Sequence, residues 1–147
     1  MKKQETYQTE PQESLTLINE PVATYGLSRI SLIRKGLHFN AIARFTNKSG
    51  LTKQELANVL QVSVRTLQRH ESQTRLSPAI SEKLMHLNDI YQLATESLGT
   101  NPKDITNWLR TPIMALGQEP PLLLLDTYIG MQQVKQVLGR LSHGVFS

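Results

Sequence analysis

The chain of 147 residues has no cysteine, which removes disulfides and thiolate metal sites together and makes a reducing cytoplasm the natural compartment. Long apolar runs are missing too. Nothing approaches the roughly 20 residues that a membrane helix needs, and the N-terminus carries no apolar signal stretch, so no membrane partner is expected. No segment alternates apolar and polar residues at period two, which leaves no strand signal. There is no nucleophile elbow, no phosphate-binding glycine loop and no paired acidic motif from which Asp126, His143 and Ser142 or Ser147 could build catalysis. The histidines, His38, His70, His86 and His143, lack metal-site spacing. Neither a catalytic residue, a metal nor a cofactor is expected, and the fold expected is all-α.

Acids are absent from one stretch in particular. Residues 25–50 carry Arg29, Arg34, Lys35, Arg44 and Lys48 with no Asp or Glu, a net +5, whereas residues 1–24 carry −2 and residues 87–147 carry −1. Residues 51–86 add +2, so the formal charge of +4 brackets the middle of the chain. That is the footprint of phosphate neutralisation, and equally of a mildly basic solvated surface.

The middle of the chain decides between them. In residues 51–71, LTKQELANVLQVSVRTLQRHE, Thr52 and Glu55 have the spacing of a capping box, so a helix should start at Thr52 with Leu56, Ala57, Val59 and Leu60 as its apolar stripe. Gln61-Val62-Ser63 interrupts it, and Ser63 can cap a second helix from Val64 to about Glu71 with Val64 and Leu67 facing inward. Two short helices with small Ala57 at their crossing form a helix-turn-helix, whose second helix lies in the major groove. Arg bonds guanine bidentately, Gln pairs with adenine, and Ser or Thr reaches base or phosphate. The side chains expected on double-stranded operator DNA are therefore Thr52, Lys53, Ser63, Arg65, Thr66, Gln68 and Arg69. An ordinary helical hairpin with a solvated polar face is the competing reading.

Around this core the chain divides into a disordered arm (1–24), the helix-turn-helix domain (25–98) and a helical module (99–147). Ser28 can cap a helix carrying Ile30, Leu32, Ile33 and Leu37, with Gly36 near its end. A further helix from Phe39 to Lys48 turns Ile42, Ala43 and Phe45 inward and closes at Ser49-Gly50. Ser77-Pro78 opens a long helix patterned by Ile80, Leu84, Leu87, Tyr91, Ala94 and Leu98, with Gly99 as its stop. Asn101-Pro102 with Asp104 restarts a short one carrying Ile105, Trp108 and Leu109. Pro120-Pro121 opens the tetraleucine 122–125, apolar all round and so expected to be covered, and Gly130 precedes a last helix with Met131, Val134, Val137, Leu138 and Leu141. This second half has more apolar surface than its length easily hides, which favours a protein partner or self-association.

The wording of that half adds something. Asn107-Trp108-Leu109, Pro112, Ala115-Leu116-Gly117, Pro121-Leu122, Leu124-Leu125-Asp126-Thr127, Gly130, Val134, Leu138-Gly139-Arg140 and His143-Gly144-Val145 resemble the toxin-binding C-terminal domain of Xre/MbcA/ParS-type antitoxins. The resemblance runs over roughly residues 27–147 and includes Arg65-Thr66-Leu67-Gln68-Arg69; Ile113, Gln118 and Leu123 depart from the family's pattern. It implies an Xre-like reader coupled to a module that inhibits a cognate RES-domain toxin, an enzyme that consumes NAD or uses it for ADP-ribosylation. It also implies that the C-terminal segment reaches the toxin's active-site cleft, with Arg140, His143 and Gly144 as inhibitory contacts and Trp108, Leu125 and Val145 beside them. A homodimer follows from the operator symmetry of such readers. The alternatives from other classes are a stand-alone transcriptional regulator whose C-terminal module senses a small ligand, and a pure interaction adaptor.

Overall fold

The computed structural model describes residues 22–70 and 72–144, so the arm expected over 1–24 lies outside the described residues but for its last three positions, and Val145 lies outside as well. Eight α-helices follow one another among the described residues: α1 (Val22–Lys35), α2 (Asn40–Ser49), α3 (Lys53–Leu60), α4 (Val64–His70), α5 (Pro78–Leu98), α6 (Pro102–Arg110), α7 (Pro121–Leu124) and α8 (Tyr128–Ser142). A single 3-10 turn, Met114–Leu116, sits between α6 and α7. No strand forms among the described residues; His38–Arg75 and Ile113–Glu119 are isolated bridges.

The long helix is the axis of the molecule. Ser77 caps it by accepting from the Ile80 amide, Pro78 fills its first turn where no amide partner is needed, and Gly99 ends it. Its inward stripe, Ile80, Leu84, Leu87, Ile90, Tyr91 and Ala94, is buried in one continuous cluster that extends from Phe45 on α2 to Leu138 on α8. α1 lies on α5 through a two-pronged ion pair from Arg29 to Asp89, at 2.9 and 2.6 Å. α8 lies along another face of α5, where the Ser97 hydroxyl donates to the Leu138 carbonyl at 3.0 Å.

Three local expectations need correction. α1 begins at Val22, directly after Pro21, so Ser28 is an interior residue and not its cap; Ile30 stays 46% exposed, because the helix meets α5 through Arg29 instead. On α2 the inward phase runs through Ile42, Phe45 and Ser49, which leaves Ala43 exposed at the edge. The last helix starts two residues before Gly130, since Thr127 supplies the cap by accepting from the Gly130 amide at 3.0 Å. The tetraleucine also divides: Leu123, inside α7, is 62% exposed, whereas Leu125, just past its end, is 0% exposed.

Candidate nucleic-acid interface and partner-binding module

The reading hairpin assembles as its residue types dictate. The Thr52 hydroxyl accepts from the Glu55 amide at 3.1 Å, and the Glu55 carboxylate accepts from the Thr52 amide at 2.8 Å, which completes the capping box of α3. Leu56, Ala57, Val59 and Leu60 are all buried, and Ala57 has no room for more than its methyl group at 0% exposure. Gln61 then takes the left-handed conformation (φ 56) and its amide returns to the end of α3. Ser63 caps α4 by accepting from the Thr66 amide at 3.0 Å, with its hydroxyl 2.8 Å from that of Thr66. Leu67 is buried under α4 and Val64 is half-buried, so the helix is pinned along one side.

Its other side is the candidate interface. Arg65, Gln68 and Arg69 are exposed, and Thr52 and Lys53 are exposed at the start of α3. No described acid pairs with Arg65 or Arg69. Lys53 and Gln68 line one recess of about 410 Å³ together with Ile42, Ala43 and Asn47 of α2, which brings the start of α3 close to Gln68 of α4. Ser63 and Thr66 are committed to the cap, so of the residues expected to read DNA these two have their hydroxyls already engaged.

The second half is fastened to the first at the turn before α3. The Thr106 hydroxyl of α6 donates to the buried Ser49 carbonyl at 2.5 Å, and the Tyr91 hydroxyl donates to the Lys48 carbonyl at 3.0 Å. Arg110, the last residue of α6, grips both oxygens of Glu55. That guanidinium holds the Glu55 carboxyl down to about 2, chiefly through its hydrogen bonds. Sequence reading missed this pair, because 55 positions separate the partners.

The expected partner-binding residues scatter. Leu125, expected to face a partner, is fully buried and so packs the core of the protein instead. Trp108 is half-buried against the core. Arg140 is exposed and lines a recess of about 390 Å³ with Gln133, Gln136 and the backbone around Gly117. His143 closes α8, its Nδ1 2.7 Å from the Gly139 carbonyl, and Gly144 is exposed with φ 69. Four large apolar side chains that sequence reading had not singled out as surface are open to solvent here: Met114, Leu123, Tyr128 and Ile129, at 62–81% exposure. Among the described residues no helix is long and apolar enough to cross a membrane, and no group of three His, Asp or Glu could hold a metal ion.

The architecture defines a class: a helix-turn-helix domain followed, across a shared helix, by a small helical module with an open apolar rim. Residues 28–88 match the antitoxin Xre-like helix-turn-helix domain, and residues 94–144 match the antitoxin Xre/MbcA/ParS C-terminal toxin-binding domain. The chain belongs to the Xre/MbcA/ParS-type antitoxins. It is 29% identical over 126 residues to the antitoxin Xre of Yersinia enterocolitica serotype O:8 / biotype 1B, covering 85% of each chain. It is 27% identical over 130 residues to the Prs ADP-ribosylating antitoxin of Sphingobium sp. (strain YBL2), covering 82% of each. In fold it resembles a chain of the M. tuberculosis MbcT–MbcA toxin–antitoxin complex, with a TM-score of 0.58 and 20% identity over 74% of this chain and 96% of that one.

Proposed function

We propose that this antitoxin neutralises a cognate RES-domain toxin, an NAD-consuming enzyme, by direct contact through its C-terminal module, and that in the cytoplasm it represses its own operon as a homodimer bound to operator DNA. The observation that carries the reading is the conjunction of a capped α4 with Arg65, Gln68 and Arg69 exposed on one side and a C-terminal segment matched as toxin-binding. The name of the Sphingobium relative supports the NAD part, since ADP-ribosylation uses NAD as donor. The exposed apolar side chains Met114, Leu123, Tyr128 and Ile129 support a protein partner, as large apolar side chains open to solvent are where such partners bind. Arg140 stands at the end of α8, close to the chain terminus, where a guanidinium can enter a pocket shaped for charged or planar groups.

Two arms test it. Co-expression with the product of the neighbouring gene should rescue growth, and deletion of residues 140–147 should abolish that rescue; undiminished protection by the shortened chain overturns the inhibitory role of the tail. For the DNA arm, Arg65→Ala and Arg69→Ala should each weaken binding to the chain's own promoter by about 1–3 kcal/mol, the worth of a bidentate base contact. Unchanged affinity in both variants overturns base reading by α4.

A further inference from the structure

A residue from the C-terminal half reaches the first turn of α3, beside Thr52 and Lys53. The capping box leaves a carboxylate, Glu55, in the first turn of α3, the end that also presents Thr52 and Lys53. Lys53 shares a recess with Gln68, so the start of α3 lies close to α4. A phosphate brought there meets Glu55 as a like charge. Arg110 answers it from α6: Nε donates to one carboxylate oxygen at 2.7 Å and Nη2 to the other at 2.8 Å, the planar fork that suits a guanidinium and not an ammonium. The Arg110 side chain is 41% exposed against 23% for Glu55, so the cation is the outer member of the pair. The buried bond from Thr106 to the Ser49 carbonyl, one turn back on α6, keeps the guanidinium in place.

We propose that Arg110 is a positioning residue for nucleic-acid binding: it masks Glu55 at the start of α3, so that the segment matched as toxin-binding completes the electrostatic surface of the DNA reader. This rests on the DNA-binding reading above. A chain without the Arg110 guanidinium keeps Glu55 but loses the cation that covers it. A partner that draws Arg110 away with its own acid has the same effect, and weakens the grip on DNA without touching α4.

The test uses the full chain and a labelled random-sequence duplex of about 20 base pairs, long enough for two half-sites one turn apart, titrated by fluorescence anisotropy across a salt series. Arg110→Ala should raise Kd about three- to tenfold, the scale of one screened charge contact, and flatten the salt dependence by up to about 0.9 in slope. Glu55→Gln keeps the capping geometry, because Gln also serves in the box, and leaves Arg110 uncovered; it should tighten binding and steepen the slope. The double variant Glu55→Gln/Arg110→Ala has the parent's charge at this spot and should return to within about twofold of it, taking charge masking as the whole effect. A merely structural role for Arg110 would leave the double variant as weak as Arg110→Ala, and that result overturns the proposal. So does an Arg110→Ala chain that binds as the parent does. If Arg110→Ala melts below the working temperature, Glu55→Gln decides by itself: tighter binding supports masking and unchanged or weaker binding overturns it. A parent chain that binds no duplex at all overturns the DNA reading and this inference together, whereas a binding parent with an indifferent Arg110 overturns this inference alone.

Discussion

Gly130→Ala sets two physical rules against each other, and its sign decides which one governs α8. Gly130 lies in the first turn of that helix in ordinary helical conformation, so propensity alone predicts that alanine stabilises the chain by about 0.5–1 kcal/mol. The surroundings say otherwise. A Cβ at this position would stand 1.8 Å from the Leu124 carbonyl oxygen and 2.7 Å from its carbon, both of them backbone atoms, and 2.9 Å from the Thr127 hydroxyl. The turn between α7 and α8 would have to open to admit it. Overpacking of this kind costs about 1–3 kcal/mol and sometimes more. Moving Thr127 out of reach of the Gly130 amide, now 3.0 Å away, forfeits a helix cap worth about 1 kcal/mol. Against the propensity gain the net is a loss of about 1–3.5 kcal/mol, which for a chain of this size lowers Tm by about 3–12 °C. A thermal melt followed by far-UV circular dichroism reads it directly. A Tm equal to or above that of the parent would show that the close approach of Leu124 does not constrain α8, and would refute the reasoning.

Three further outcomes follow from the same packing. Leu125→Ala should cost about 2–5 kcal/mol in denaturant unfolding, since it empties a fully buried site, while Leu123→Ala two residues away should change stability by less than about 0.5 kcal/mol; equal effects would contradict the division of the tetraleucine. Thr106→Val removes the donor to the buried Ser49 carbonyl at nearly constant shape, so it should destabilise by about 1–3 kcal/mol, measured the same way, and a neutral result would show that this carbonyl finds another donor. Glu55 has a lowered carboxyl in the folded chain, mainly through Arg110, so its contribution is complete above the unfolded value of 4.5 and is lost as pH falls through the folded value of about 2. The Tm gap between the parent and Glu55→Gln should therefore narrow between pH 4.5 and pH 2, and a gap that stays constant would remove the ion pair as its cause.

What could be read from the sequence was what neighbouring residues settle among themselves. The capping box of α3, the Ser63 cap of α4, the Ser77-Pro78 opening of α5 and the Asn101-Pro102 opening of α6 each involve residues within three positions, and each forms. The same locality explains the misses. Ser28 has the chemistry of a cap, but α1 runs through it because the contact that orients the helix, Arg29 to Asp89, comes from 60 residues away. Gly130 reads as a boundary, and only the Leu124 backbone against it shows why a glycine belongs inside α8. The tetraleucine has no internal signal telling Leu125 from Leu123; the difference arises from the tertiary packing that buries one and leaves the other open. At the candidate site, α4 was legible for the same local reasons, whereas the exposure of Met114, Tyr128 and Ile129 and the reach of Arg110 to Glu55 depend on tertiary placement.

The shared helix bears on how two functions coexist in so short a chain. α5 closes the helix-turn-helix on one side and is the surface on which α8 is laid, so the cluster from Phe45 to Leu138 is continuous and neither half buries its apolar residues alone. A fragment ending at Leu98 would uncover the face of α5 on which α8 and α6 lie, a loss of side chains each worth about 1.5–3 kcal/mol when fully buried. That is a large part of the 5–15 kcal/mol by which such chains are stable. The two halves therefore share one core, and bonds from the second half reach the turn that leads into α3. Thr106, Tyr91 and Arg110 all converge on that turn, within residues 48–55, so losing the second half would release two of these three contacts.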